Sequence, residues 1–339
     1  MKKKTYQFST KKVDYYFDAE FSYLDELVGR EYAVVITDAN IFNANKKKFK
    51  GWHVIVIQPG EANKIQATVD SVISQLIALQ ADRETFLIGI GGGVITDLTG
   101  YIASIYMRGI RCGFVPTTIL AMVDAAVGGK NGIDIGPYKN LVGSIRQPEF
   151  LLYDTSFLKT LPKNEWVNGF AEIIKHACIK DAGLFRQLEQ RNIAFYQKDK
   201  QQLNKLIQRN ASIKSEVVER DEFEKAERKL LNFGHTLGHA IETQYGLPHG
   251  HAISIGMVAA CRLAEQVNGF RQTEKVIAVL NGYGLPTSLS YDKKKVFNVL
   301  KMDKKKVKNE MKYVLLEKIG KGVVVSIPLD QLEILINQL

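Results

Sequence analysis

Short β-branched runs alternate with amphipathic stretches through the first half of the chain, and this alternation restricts the fold more than any other feature. Ala33-Val-Val-Ile-Thr37, Val54-Ile-Val-Ile57 and Phe86-Leu-Ile-Gly-Ile90 read as buried strands. Between two of them, over about residues 67–80, Val69, Val72, Ile73, Leu76 and Ile77 recur at helical spacing. Strands separated by crossover helices define a parallel sheet. From about Thr155 the pattern changes, and helices are predicted over 164–180, 184–196, 200–219, 228–245, 250–267 and 272–281. Only Tyr313-Val-Leu-Leu316 and Gly322-Val-Val-Val-Ser326 suggest late strands. The expected fold class is α/β: a Rossmann-like amino-terminal domain, residues 1–155, joined to a mostly helical domain, residues 156–339. The active site is expected in the cleft between them.

At 339 residues the chain has room for two cores. No run of 18 apolar residues is present, so no membrane-spanning helix is expected, and no apolar stretch follows the basic start to make a secretory signal. Cys112, Cys178 and Cys261 are odd in number and scattered, which fits a reducing cytoplasm and argues against a cysteine metal site. The net charge of +10 admits a nucleic-acid patch at Lys46–Lys48, Lys293–Lys295 or Lys304–Lys306. No zinc finger, RNP-like motif or arginine–aromatic interleaving supports that reading. Solvated faces or a small anionic ligand explain the charge more simply.

Arg228, Asn232, His235 and His239 are spaced 4, 3 and 4 apart, which on a continuous helix puts all four on one face. Gly234 and Gly238 beside them each cost about 1 kcal/mol relative to Ala in a helix interior, so a ligand or another backbone is expected to approach there. With His249 and His251, four of the six histidines fall within residues 235–251. Upstream, Phe86–Gly100 reads as a strand, a triple-glycine turn at Gly91, Gly92 and Gly93, and a helix start with Asp97 in its first turn. Such a turn admits a pyrophosphate, whereas a tight structural turn is the plainer alternative. Residues 116–132 carry Asp124, Gly128, Gly129 and Lys130 and suit a loop around a polar ligand, or a loop with incidental charges. Glu172 and His176 lie one helical turn apart, as do His235 and His239. Either pair has metal-ligand spacing, and one carboxylate with two imidazoles is an established zinc set. Spacing alone leaves open which histidines complete it.

In order along nearly the whole chain, these segments resemble the 3-dehydroquinate synthase family. The matching pieces include Pro59-Gly60-Glu61 through Lys64, GGGVITDLTG at 91–100, PTTILAMVDAAVGGKNGI at 116–133, GFAEIIKHA at 169–177, RKLLNFGHTLGHAIE at 228–242 and HGHAISIGM at 249–257. The resemblance implies Glu172, His235 and His251 as ligands of Zn2+ (or Co2+), with His176 serving packing. It implies His239, Glu224 and Lys175 in catalysis. It places NAD against Asp38, Asn40, Glu61, Lys64, Gly92, Gly93, Asp97, Thr117, Thr118, Lys139 and Thr160. Substrate falls to Arg108, Asp124, Lys130, Asn140, Lys214, Arg228, Asn232 and Lys304, with Arg108 reaching across a homodimer.

The activity implied is conversion of 3-deoxy-D-arabino-heptulosonate 7-phosphate to 3-dehydroquinate and phosphate. It proceeds by transient oxidation with NAD, phosphate elimination, re-reduction and intramolecular aldol closure. A carboxylate at one end of the substrate and a phosphate at the other explain the demand for cations. Competing readings are another sugar-phosphate cyclase, among them the aminodehydroquinate type, and an NAD- and metal-dependent alcohol or glycerol dehydrogenase. Cyclases whose substrates lack a carboxylate have no need of Lys214 and Arg228 together. The cationic set favours a cyclase over a dehydrogenase.

Overall fold

The computed structural model describes residues 1–136, 138–301, 306–307 and 309–339. The chain forms two compact units. The first, residues 1–162 with 200–223, is built on a seven-stranded sheet. In chain order its strands are β1 (Lys2–Gln7), β2 (Lys12–Phe17), β3 (Ala33–Asp38), β4 (His53–Ile57), β5 (Phe86–Gly91) and β6 (Arg111–Pro116). After a separate hairpin of β7 (Lys130–Ile135) and β8 (Tyr138–Ile145) comes β9 (Phe150–Leu152). The spatial order is β1-β2-β9-β6-β5-β3-β4, with only β1–β2 antiparallel. Every residue of β5 is buried, as expected of a parallel strand covered on both faces.

Helices α1 (Leu24–Leu27), α2 (Ala39–Ala44), α3 (Gln66–Ala78) and α4 (Gly93–Ile105) belong to this unit. α3 buries Val69, Val72 and Leu76, which is the spacing that predicted it; Ile77 instead faces solvent. The chain leaves β3 towards β4 on one side, then returns to β5 and β6 on the other. The carboxyl ends of β3 and β5 therefore flank a topological switch point, where doubly wound sheets hold ligands. The parallel α/β reading is borne out. The β1–β2 hairpin was not anticipated, because β1 is a lysine-rich strand at the sheet edge with one buried side chain, Tyr6.

The second unit comprises residues 163–199 and 224–339. It begins with α5 (Lys163–Lys180), α6 (Ala182–Glu189) and α7 (Ile193–Lys198); α8 (Lys200–Arg220) then groups with the first unit. The grouping thus differs from a single boundary at 155/156. The stretch expected as one helix over 184–196 is divided because Asn192 caps α7, accepting from the Phe195 amide at 3.0 Å. α9 (His235–Tyr245), α10 (His249–Val267), α11 (Thr273–Gly282), α12 (Lys293–Leu300) and α13 (Leu329–Asn337) follow. β10 (Lys306–Val307), β11 (Glu310–Lys318) and β12 (Lys321–Pro328) form a second sheet, containing the two late strands expected. No helix among the described residues is long and apolar enough to cross a membrane.

Candidate active site

The continuous helix expected over 228–245 does not form. Glu227–Asn232 is a 3-10 segment, Gly234 adopts φ +78°, and α9 starts only at His235. Arg228, Asn232, His235 and His239 therefore do not share one helical stripe. The glycines have the second of the two purposes expected, approach of another backbone. A Cβ on Gly238 would lie 3.0 Å from the Ala252 carbonyl oxygen, and one on Gly256 only 1.9 Å from that of Gly234. α9 and α10 are thus in backbone contact, and the rings of His235 and His249 lie 5.5 Å apart.

Three side chains converge there. Glu172 is fully buried on α5, and its Oε1 lies 3.5 Å from His235 Nε2 and 3.2 Å from His249 Nε2. These three groups present ligand atoms mutually within 4.8 Å. Each ring is held by its other nitrogen: His235 Nδ1 donates to the Phe233 carbonyl at 3.0 Å, and His249 Nδ1 faces Glu242 Oε2 at 3.3 Å. Lys175 Nζ pairs with Glu172 Oε2. Burial drives the His235 imidazole down to about 3. For His249 burial acts in the same direction, but hydrogen bonds to Glu172 and Glu242 outweigh it and lift the ring to about 10. Two imidazoles and a carboxylate aimed at one point are a donor set suited to zinc or a similar divalent ion, so the side chains fit the group.

His251, the third ligand implied by the resemblance, is not in this cluster; His249 takes its place. α10 begins at His249, and residues two apart on a helix point about 200° apart, so only one of the two can face Glu172. Glu242 was also missed. Its signal was its place three residues after His239, on the same face of α9. His239 is half-buried, with its ring 5.1 Å from that of His235. Arg228 is 2% exposed, and Asn232 donates to the Glu224 carboxylate. His176 is buried within α5.

A separate cluster forms in the first unit. Asp38 ends β3 and caps α2, accepting from the Ile41 amide at 3.0 Å, with Asn40 in the helix it caps. Gly92 caps α4, Gly93 is its first residue, and Thr117 follows β6 with its amide bonded to the Gly91 carbonyl at 2.9 Å. A Cβ on Gly92 would come within 3.1 Å of Thr118, so the turn is tightly packed. The Thr117 hydroxyl is buried without a partner among the described residues, an orphan that a bound nucleotide could satisfy. Asp97 lies beyond the first turn of α4, one turn later than expected. It pairs with Lys64 Nζ at 2.5 Å, and the same ammonium donates to Asn140 Oδ1 at 2.7 Å. Although burial opposes its charge, Asp97 and Glu61 hold the Lys64 ammonium above its ordinary value. Asn140, at φ +55°, is held by its amide on Asp134 Oδ1 at 2.9 Å, and Lys139 lies 3.9 Å from Glu61.

Residues 121–125, expected as part of a loop, form a π-helix, a form frequent at functional sites. It presents Asp124 to Lys214 of α8, whose Nζ lies 2.9 Å from the carboxylate and 2.7 Å from the backbone carbonyl. Lys130 is exposed at the start of β7. Arg108 is exposed on a turn where Met107, Arg108 and Gly109 all have positive φ. Thr160 is exposed and bonds to the Phe157 carbonyl at 3.2 Å, outside the cluster at the strand ends. Lys304 lies outside the described residues.

Solved structures that resemble the whole chain at 25% identity include two with bound cofactor and metal. One is a 2-deoxy-scyllo-inosose synthase complexed with carbaglucose-6-phosphate, NAD+ and Co2+ (TM-score 0.85, covering 99% of this chain and 100% of that one). The other is the 2-epi-5-epi-valiolone synthase ValA of Streptomyces hygroscopicus subsp. jinggangensis with NAD+ and Zn2+ bound (TM-score 0.87, covering 98% of each). The fold is that of the sugar-phosphate cyclases. Residues 54–168 and 169–306 match the amino-terminal and carboxy-terminal models of 3-dehydroquinate synthase. The 3-dehydroquinate synthase of Saccharolobus solfataricus is 40% identical over 310 residues, 88% of each chain. The chain belongs to the 3-dehydroquinate synthase family and is an enzyme of the shikimate pathway.

Proposed function

We propose that the chain eliminates phosphate from 3-deoxy-D-arabino-heptulosonate 7-phosphate and closes the product ring as an NAD- and divalent-metal-dependent carbon–oxygen lyase. The observation that carries this reading is the convergence of His235 Nε2 and His249 Nε2 on Glu172 Oε1. The relatives solved with NAD+ and Co2+ or Zn2+ support it. Glu172, His235 and His249 would hold the ion, and the Asp38, Gly92–Gly93 and Thr117–Thr118 strand ends the nucleotide, with Lys64 and Asp97 beside them. When bound, the ion would supply Lewis-acid stabilisation of charge on an alcohol oxygen, and NAD would supply a reversible hydride acceptor.

The remaining work falls to the protein's own groups. Gly92 and Gly93 leave the amino end of α4 open to a pyrophosphate, where backbone amides favour negative charge. Lys175 offsets the buried carboxylate of Glu172. Arg228 and Lys214 supply cations for the acidic substrate, Arg as a planar fork and Lys as a point charge. Asp124, Lys130, Asn140 and Asn232 complete its polar contacts. His239, whose ring abuts His235, relays a proton near neutral pH, with Glu224 assisting.

The same reading makes the enzyme a cytoplasmic homodimer. Its three cysteines are free and buried, in keeping with a reducing compartment. β8 pairs only with β7 among the described residues and exposes Tyr138, Leu141, Val142 and Ile145, an edge that a second copy would cover.

Phosphate release from the heptulosonate phosphate, with and without NAD and a chelator, tests the activity. Release should require both NAD and metal and leave no lasting NADH absorbance. NADH accumulating in step with product would instead mark a dehydrogenase and overturn the proposal.

A further inference from the structure

Glu242 is buried on α9, 6% exposed, and touches one of the proposed ligands without joining the set around Glu172. Its Oε2 lies 3.3 Å from His249 Nδ1, while the opposite ring nitrogen, Nε2, lies 3.2 Å from Glu172 Oε1. An ionised carboxylate can only accept, so Nδ1 must carry a hydrogen. In the neutral ring that binds an ion, the lone pair of His249 is then confined to Nε2, the nitrogen that faces Glu172. His235 reaches the same tautomer by donating Nδ1–H to the neutral Phe233 carbonyl, 3.0 Å away. The two imidazoles therefore differ in their supports. A charged acceptor makes the ring it holds a stronger electron donor than a carbonyl does.

The backbone beneath His249 is fixed independently. Asn168, one turn before Glu172 on α5, accepts the Gly250 amide through Oδ1. A Cβ on Gly250 would lie 2.3 Å from the Asn168 carbonyl oxygen, so the start of α10 is seated on α5 without slack. With that end pinned, the principal remaining freedom of His249 is rotation of its ring, which Glu242 at Nδ1 limits together with Glu172 at Nε2.

We infer that Glu242 is a positioning residue, orienting His249 and strengthening its Nε2 as a donor to a divalent ion. The inference rests on the reading that Glu172, His235 and His249 hold that ion. Its test is zinc binding to the full-length apo protein, measured by competition with a chelator, with the thermal midpoint of the chelated protein measured in parallel. Wild type should bind one ion per chain at this site, and His249→Ala should lose it. Glu242→Ala should weaken binding by about 10- to 100-fold. Glu242→Gln keeps an acceptor for Nδ1–H while losing the charge, so its affinity should fall between those of wild type and the alanine variant.

If wild type takes up no zinc, the ligand reading itself fails. If wild type binds and Glu242→Ala binds equally well, only the present inference fails. A lowered midpoint with unchanged zinc affinity would make Glu242 a packing residue and overturn the inference too. So would loss of one ion from a stoichiometry of two, because Glu242 would then be a ligand.

Discussion

Gly256→Ala tests whether the packing of α9 on α10 is what assembles the metal-type cluster. A methyl group at position 256 would sit 1.9 Å from the Gly234 carbonyl oxygen and 2.9 Å from the Gly238 amide nitrogen. Both obstacles are backbone, so no rotamer change relieves them. Non-bonded atoms need well over 3 Å, and the two helices must part by roughly 1 Å or more. Gly234 immediately precedes His235, so the displacement reaches that side chain directly. Overpacking of this kind costs about 1–3 kcal/mol, and the upper end is expected because only backbone can give way. A shift of about 1 Å in a catalytic group is enough for about a 100-fold loss of rate. Gly282→Ala is the control: it lies at the end of α11 with no heavy atom within 4 Å of the added carbon and should gain up to about 1 kcal/mol. Thermal midpoints in excess chelator report the packing cost without stabilisation by bound ion, and zinc competition reports the cluster. Wild-type zinc affinity and stability in Gly256→Ala would refute the argument.

His249→Ala should abolish tight zinc retention on dialysis whereas His251→Ala should keep it, and elemental analysis giving the reverse pattern would restore His251 as the ligand. Asp154 accepts from the Phe21 amide at 3.1 Å, the Ser156 amide at 2.8 Å and Lys48 Nζ at 2.9 Å, so Asp154→Ala should cost about 1–3 kcal/mol at neutral pH by leaving those donors unpaired. Burial alone would raise the Asp154 carboxyl, but bonds from Ser156 and Lys48 outweigh it and hold the group below its ordinary value. A carboxyl depressed in the folded state contributes stability above its unfolded pKa of about 3.9, and that contribution is lost as pH falls through the lower folded value. Unfolding measured at pH 7 and in strong acid should therefore show the gap between variant and wild type closing on acidification; a gap that persisted unchanged would contradict the assignment.

The parallel core was legible because β3, β4 and β5 are β-branched runs and α3 keeps helical spacing at Val69, Val72 and Leu76. β1 was not, since an edge strand with one buried side chain leaves almost no apolar alternation to read. The triple glycine read correctly as a strand-to-helix turn, because its meaning is local. The break at Gly234 did not. A positive φ at one glycine is invisible to side-chain periodicity, and the spacing of Arg228, Asn232, His235 and His239 imitates a helical stripe that the backbone never forms. The Asp124–Lys214 pair joins residues 90 positions apart, and no spacing rule reaches that far.

The choice between His249 and His251 shows where such reading stops. Both histidines stand in the same short segment, and composition treats them alike. What separates them is the rotational register of α10 against α5. That register is set by the Asn168 acceptor for the Gly250 amide, and by the absence of a side chain at Gly250 where the Asn168 backbone would obstruct it. It is set again, two turns further along, by the fit of Gly256 against Gly234. Turning α10 by the roughly 200° needed to exchange the two histidines would also turn Gly250 away from Asn168 and Gly256 away from Gly234, putting bulkier side chains into both contacts. Gly234, expected to admit a ligand or another backbone, therefore acts with Gly250 and Gly256 one step earlier: together they fix which imidazole a ligand would meet.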